Sequence, residues 1–339
     1  MHLSHYQIQL SQIAKTAKIV ATQIAGFIHA QKINPANTVV MVGEFHTQLA
    51  HQYFEKKLLQ NLHRELTVQT LFVEGIVSLQ KEVDQCAARN TYQTMVHGVT
   101  QKNSMHKMVS NIPMQYAFGQ KIDTRLIDPK DEYDDEEEDY FIGDVLSEDL
   151  YDKYRKNKAV SKMLRKHKPD LFQKNLFHHI SSATGILKRD LFMMDNIVNM
   201  TADKKGLSMA IVGEYHVTNV RHPLQPSLAE MLHANGKDIV AVTLRPAQDL
   251  MDGNKRIFAQ KSHAKKVVST YNKQDFRVAE NRKSAFALID VDIAGQVQQS
   301  WTGLAGLCLR NMCAPDLYVP AFAMAEKLEP VLVRKKLLP

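Results

Sequence analysis

Two short segments of this chain carry the same groups able to do chemistry. Met41-Val42-Gly43-Glu44-Phe45-His46 and Ile211-Val212-Gly213-Glu214-Tyr215-His216 each end an apolar run with glycine, glutamate, an aromatic residue and histidine. In extended backbone, side chains two residues apart share a face. Glu44 then points with His46, and Glu214 with His216. A carboxylate and an imidazole on one face can take a proton from water and return it to a leaving group. The same donors can instead hold a divalent metal such as Mn, Co or Zn, with positions left open for water. Glycine ahead of each glutamate permits a sharp turn and leaves backbone N–H groups free to meet an anion.

Other residues join this set. Glu74 follows the apolar run Leu71-Phe72-Val73, and a buried strand seldom ends in an acid that has no partner. Asp128 holds the same position after Leu126-Ile127, although an aspartate before Pro129 is also an ordinary turn former. Arg189 and Asp190 lie among Leu187, Leu191, Phe192, Met193 and Met194. On a helix they read equally well as a surface ion pair or as part of a site.

The elements that must position these residues follow from hydrophobic periodicity. An amphipathic helix is expected over 4–32, then a buried strand from Thr38 to Gly43 and a helix over 47–65. A second strand runs Val68–Glu74, helical patterns fill 77–90 and 104–118, and a third strand covers Thr124–Asp128. Two long helices, about 146–168 and 174–202, precede strands at Ser208–Gly213, Asp238–Leu244 and Ala285–Val291. Strands alternating with helices predict an α/β fold with a mostly parallel central sheet flanked by helices. We expect one domain over 1–339, with its core at about 38–130 and 205–300 and a charged helical insertion at about 131–204. Parallel neighbours lie about 4.8 Å apart. If the two motif strands are adjacent, two carboxylates and two imidazoles converge at the sheet's carboxyl edge, where such folds bind ligands.

Composition narrows the classes. The 339 residues are 44% hydrophobic and 23% charged, which excludes collagen-like, mucin-like and wholly disordered chains. The net charge of +7 hides an uneven distribution. Residues 131–139 hold eight of the 36 acidic residues, so the remainder sets 43 basic residues against 28 acidic ones. Basic residues are densest at Lys153, Arg155, Lys156, Lys158, Lys162, Arg165, Lys166 and Lys168, beside that acidic tract. Aromatic interleaving there is limited to Tyr151 and Tyr154, and no nucleic-acid-binding fold signature is present, so nucleic acid is not the leading partner, and binding through the 153–168 basic helix is kept as an alternative reading. Cys86, Cys308 and Cys313 have no spacing for a disulfide framework or a zinc site and read as reduced thiols. The N-terminus lacks a signal peptide and no run is long enough to span a membrane. A cytoplasmic protein is expected, and signal-less delivery into a host cell is compatible with that. Oligomeric state is left open.

The order of these motifs resembles the superfamily that groups erythromycin esterases, ChaN-like haem-uptake lipoproteins and TraB/Tiki proteases. Its members resemble one another in paired Gly-x-x-His motifs, a strand-end Glu, a strand-end Asp and a helical Arg-Asp/Asn-x-x-Met. Here these are Gly43–His46, Glu74, Asp128, Arg189-Asp190 with Met193-Met194, and Gly213–His216. Ser227-Leu228 to Leu232, Gly236 and Ile239–Val242 follow in the expected order, so the resemblance covers roughly 38–245.

The resemblance implies a hydrolase of ester or peptide bonds, without a serine nucleophile, acting on a small molecule, a peptide or a protein. Glu44 and His46 would activate water. His216 with Glu214 would be the second acid/base or metal ligand. Glu74 would orient the site, and Arg189 would stabilise the oxyanion. A metal, if used, would be held by His46, Glu74, Asp128, Glu214 and His216. ChaN-like members imply haem or small-ligand binding instead, and a toxin branch implies an effector-type domain. The chain departs from these relatives in lacking a lipobox cysteine and a membrane anchor, and in its insertion at 131–168.

Overall fold

The computed structural model describes residues 3–44, 49–89, 111–129, 141–142, 156–164, 178–179, 183–218, 225–244 and 285–291. Six strands build the main sheet: β1 (Thr38–Glu44), β2 (Val68–Ile76), β3 (Asp123–Asp128), β6 (Leu207–Gly213), β7 (Asp238–Leu244) and β8 (Phe286–Val291). Their order is β3-β2-β6-β1-β7-β8, and every pairing is parallel. All seven residues of β1 and of β6 are buried. That is the reason both read as continuous apolar runs without alternation: helices cover both faces of a parallel sheet.

Two layers flank it. On one face α1 (Leu3–Ala30), α2 (Leu49–Leu66), α3 (Gln80–Arg89) and α4 (Asn111–Gly119) supply Ile13, Val20, Leu58, Leu62, Val83 and Phe118 to a core shared with Val40, Val42, Met209 and Ile211. On the other face α6 (Ala183–Met200) and α8 (Leu228–Ala234) supply Leu187, Leu191, Met194 and Leu232 to a core shared with Val39, Met41, Ala210 and Val212. Ser227 caps α8, and Glu230 returns a bond to its backbone N–H, a capping box written in the sequence as Ser-x-x-Glu.

The expected strands are present with boundaries shifted by one or two residues, and the described helices overlap the expected ones, but the helix expected over 174–202 begins only at Ala183, with His178–His179 in a strand. The charged insertion differs more. A short α5 (Lys158–Leu164) stands within the expected 146–168 helix, and a two-stranded antiparallel pair, β4 (Phe141–Ile142) with β5 (His178–His179), occupies positions read as insertion. Val160 of α5 packs into the α6–α8 core, and Asn157 Nδ2 donates to Asn235 Oδ1 at 2.7 Å. Lys156, Lys158 and Lys162 stay exposed. The acidic tract 131–139 and the rest of the basic run lie outside the described residues. Cys86 is buried, and Cys308 and Cys313 lie outside the described residues. No helix among the described residues is long and apolar enough to cross a membrane.

Gly43 has a packing role. A Cβ there would stand 3.1 Å from the Glu214 Cα and 3.1 Å from a Val217 methyl. The short helix α7 (Glu214–Thr218) therefore rests directly on β1. Gly43→Ala pushes against backbone, and we expect a loss of about 1–3 kcal/mol in denaturant unfolding. An unchanged midpoint would contradict this close approach.

Candidate functional site

The two motif strands are neighbours, which is the condition on which convergence depended, but they are offset by one residue. Val42 pairs with Ile211, Gly43 with Val212, and Glu44 with Gly213 rather than Glu214. A one-residue stagger between parallel strands turns equivalent positions to opposite faces. Glu44 continues the face of Val40 and Val42, toward α2. The second copy is directed to the α6 side. Its strand also stops at Gly213, and Glu214 opens α7. Glu214 and His216 consequently stand about 200° apart around a helix instead of sharing a strand face. The expected convergence of both copies in one crevice is corrected on these two grounds. His46 lies outside the described residues.

What the fold assembles on the α6 side is a buried chain of charges. Arg189 donates from Nε to Asp128 Oδ1 at 3.1 Å, and from Nη2 to Asp128 Oδ2 at 2.7 Å and to Glu74 Oε1. Glu74 Oε2 accepts the Gly213 backbone N–H at 2.5 Å. His216 bonds Asp190 Oδ1 through Nδ1, and its Nε2 meets Glu74 Oε1 at 3.2 Å. All five side chains are buried, Arg189 being the most accessible at 8%. The anion that meets the N–H of the second motif glycine is thus internal: it is Glu74.

The local sequence explains the assembly. Residues Gly185 to Leu191 of α6 are all buried, so this helix is covered on every side. Successive helical residues project about 100° apart. Arg189 can therefore reach the ends of β2 and β3 while Asp190 reaches α7. Asp190, which the sequence reads equally well as half of a surface ion pair or as part of a site, belongs to the network. Its place between two apolar stretches of a helix was the available signal.

Electrostatics follow from burial and partners. For His216, burial favours the neutral ring, but Glu74 and then Asp190 outweigh it and push the group up to about 10. The ring is a doubly bonded imidazolium at neutral pH. Burial likewise opposes charge on Arg189, and Asp128 and Glu74 more than compensate, raising it further above its ordinary value. Burial raises Asp190 against the opposing pull of His216.

No profile of a known protein family matches the chain, and no curated protein sequence is similar to it. Two solved structures resemble it weakly. One is the type III effector HopBA1, at 10% identity and a TM-score of 0.34, covering 75% of this chain and 87% of the effector. The other is ChaN of Campylobacter jejuni, described with cofacial haem binding, at 11% identity and a TM-score of 0.33, covering 64% of this chain and 85% of that one.

The described members of the expected metal set do not fit a divalent cation as they are arranged. The Arg189 guanidinium already bridges Glu74 and Asp128, and both nitrogens of His216 face carboxylates. Among the described residues no three His, Cys, Asp or Glu side chains converge in metal-holding fashion. The cationic place in this cluster belongs to arginine and imidazolium.

Glu55 was missed altogether. It sits on the buried stripe of α2 beside Tyr53, Phe54, Leu58 and Leu59, and has no exposed surface. A buried acid one turn after His51 and Gln52, on a helix that also buries Tyr53, Phe54, Leu58 and Leu59, was its signal.

Proposed function

We propose that the chain is a hydrolase of ester or peptide bonds that works at the carboxyl rim of β1, β6 and β2 without a metal. The observation that carries the reading is the buried Asp128–Arg189–Glu74–His216–Asp190 network at that rim. Buried ion pairs rarely stabilise more than apolar packing would. Shifted titration of clustered, buried groups is characteristic of functional sites. In open parallel sheets ligands bind beyond the carboxyl ends of the strands.

The residues divide the work. Glu44, with His46 two residues on, takes a proton from water as its oxygen adds to the carbonyl carbon. His216 and Arg189, whose bonds run to carboxylates on the α6 side of the sheet, act on the developing negative charge as a positive field and not as hydrogen-bond donors. The C–O or C–N bond then breaks, and the leaving group receives the proton from the Glu44–His46 pair. Glu74 and Asp128 orient the two cations, and Asp190 fixes the imidazole through Nδ1.

The test is turnover of a panel of chromogenic esters and fluorogenic peptides by the purified chain after exhaustive chelation. Glu44→Gln is expected to lower kcat by at least about 100-fold, the usual contribution of a general base. A Glu44→Gln protein as fast as the parent removes Glu44 from the mechanism.

A further inference from the structure

The outer edge of the sheet carries a device that the site chemistry does not use. Among the described residues β3 is the last strand on its side, paired with β2 alone. An edge strand presents backbone N–H and C=O groups on which another extended chain can pair. Here a side chain stands in that place. Gln80, the first residue of α3, accepts the Leu126 backbone N–H on Oε1 at 2.8 Å. Its Nε2 donates to the Thr124 carbonyl at 3.0 Å and to Asp84 Oδ1 at 2.8 Å.

In a parallel ladder, one residue of the neighbouring strand donates to the carbonyl of residue i−1 and accepts the N–H of residue i+1. The Gln80 carboxamide does this with Thr124 and Leu126, on either side of Arg125. It stands in for one residue of an added strand. The second Nε2 hydrogen, directed to Asp84, keeps the amide from turning over, because a reversed amide would set N–H against N–H.

The same edge is complementary to itself. Asp123 and Arg125 flank Thr124 on one face of the strand, and their side chains are 28% and 34% exposed. Arg125 Nε bonds Asp123 Oδ1 at 2.7 Å within the chain. Two such strands paired antiparallel, with Thr124 opposite Thr124, set each Asp123 across from Arg125 of the second copy. Those are non-hydrogen-bonded pairs, where side chains come closest and opposite charges favour pairing. Such pairing needs the Thr124 carbonyl and the Leu126 N–H, the two groups that Gln80 holds.

We propose that the outer edge of β3 is a latent self-association surface for a second copy of this chain, kept closed by the Gln80 carboxamide. The proposal is independent of the hydrolase reading. It bears on the site all the same: β3 ends at Asp128, two residues beyond Leu126, so the strand that Gln80 holds is the one that meets Arg189.

Hydrogen exchange and sedimentation of the full chain test this. The Leu126 amide of the parent is expected to be protected. Free exchange there, as fast as in an unstructured peptide, overturns the proposal before any variant is made. Gln80→Met keeps the side-chain length and removes both bonds. At a dilution where it is monomeric, it is expected to exchange the Leu126 amide at least about tenfold faster than the parent. Equal rates overturn the proposal. At higher concentration Gln80→Met is expected to self-associate at least about tenfold more tightly than the parent, since two released hydrogen-bonding groups become available to a partner. Val83→Ala loosens α3 from the core without touching the edge, and is expected to associate no more than the parent. Adding Arg125→Asp to Gln80→Met sets carboxylates opposite one another and is expected to return association to the parent level. Unchanged association in Gln80→Met, an equal rise in Val83→Ala, or association that survives Arg125→Asp each overturns the proposal.

Discussion

Replacing Arg189 with methionine is expected to cost about 3–5 kcal/mol of stability, because it strands two buried carboxylates. Asp128 and Glu74 both bond the guanidinium, and Asp128 does so through both oxygens. Asp128 and Glu74 are themselves almost fully covered, so water cannot replace the lost donor. The penalty belongs to the abandoned charges rather than to the pair as such. Neutralising them should therefore return much of it, and Arg189→Met combined with Glu74→Gln and Asp128→Asn is expected to be more stable than Arg189→Met alone. Denaturant unfolding at neutral pH measures both. A loss below about 1 kcal/mol for the single variant, the scale of an exposed ion pair, would mean that the three groups are not joined in a dry network.

Alkaline pH is expected to unfold the protein through His216. Its folded value stands at about 10 against an ordinary 6.5. A base whose affinity for protons rises on folding stabilises the native state fully below its unfolded value, and that contribution is lost as pH climbs through the folded one. The window is thus about pH 6.5 to 10. Each unit of separation between the folded and unfolded values is worth about 1.4 kcal/mol. Stability should fall across the window with a slope approaching that figure per pH unit. His216→Gln is expected to be less stable than the parent at pH 6, since Glu74 and Asp190 lose their imidazolium, and to lack the alkaline fall. Urea titrations at intervals from pH 6 to 10 distinguish the outcomes: parallel curves for the two proteins would mean that His216 is not held as a cation between its carboxylates.

The fold was legible because its signals are local or periodic. β1, β6 and β7 announce themselves as apolar runs, since a strand buried on both faces has no polar side to alternate with. The site was legible in its membership and less so in its arrangement. Glu74, Asp128 and His216 were recognisable as polar groups at the ends of apolar segments and Arg189 as a charge within an apolar helical stretch, and they meet. Which of them would bond which was not readable, because all the pairings span long stretches of chain. Asp190 reaches His216 across 26 residues, and Glu74 reaches it across 142.

The repeated Gly-Glu-aromatic-His motif marks the division between what sequence and tertiary structure each determine. The sequence by itself determined that two buried strands end in the same chemistry, that they belong to a parallel sheet, and that acids and a helical arginine accompany them. Only the tertiary structure decided that β1 and β6 pair one residue out of step, with Glu44 opposite Gly213. Side-chain direction along a strand has a period of two, so that single step sends the first glutamate to the α2 layer. The second copy, starting a helix at Glu214, delivers His216 to the charge network under α6. Register is set by how whole layers of side chains pack, and no short motif contains that information.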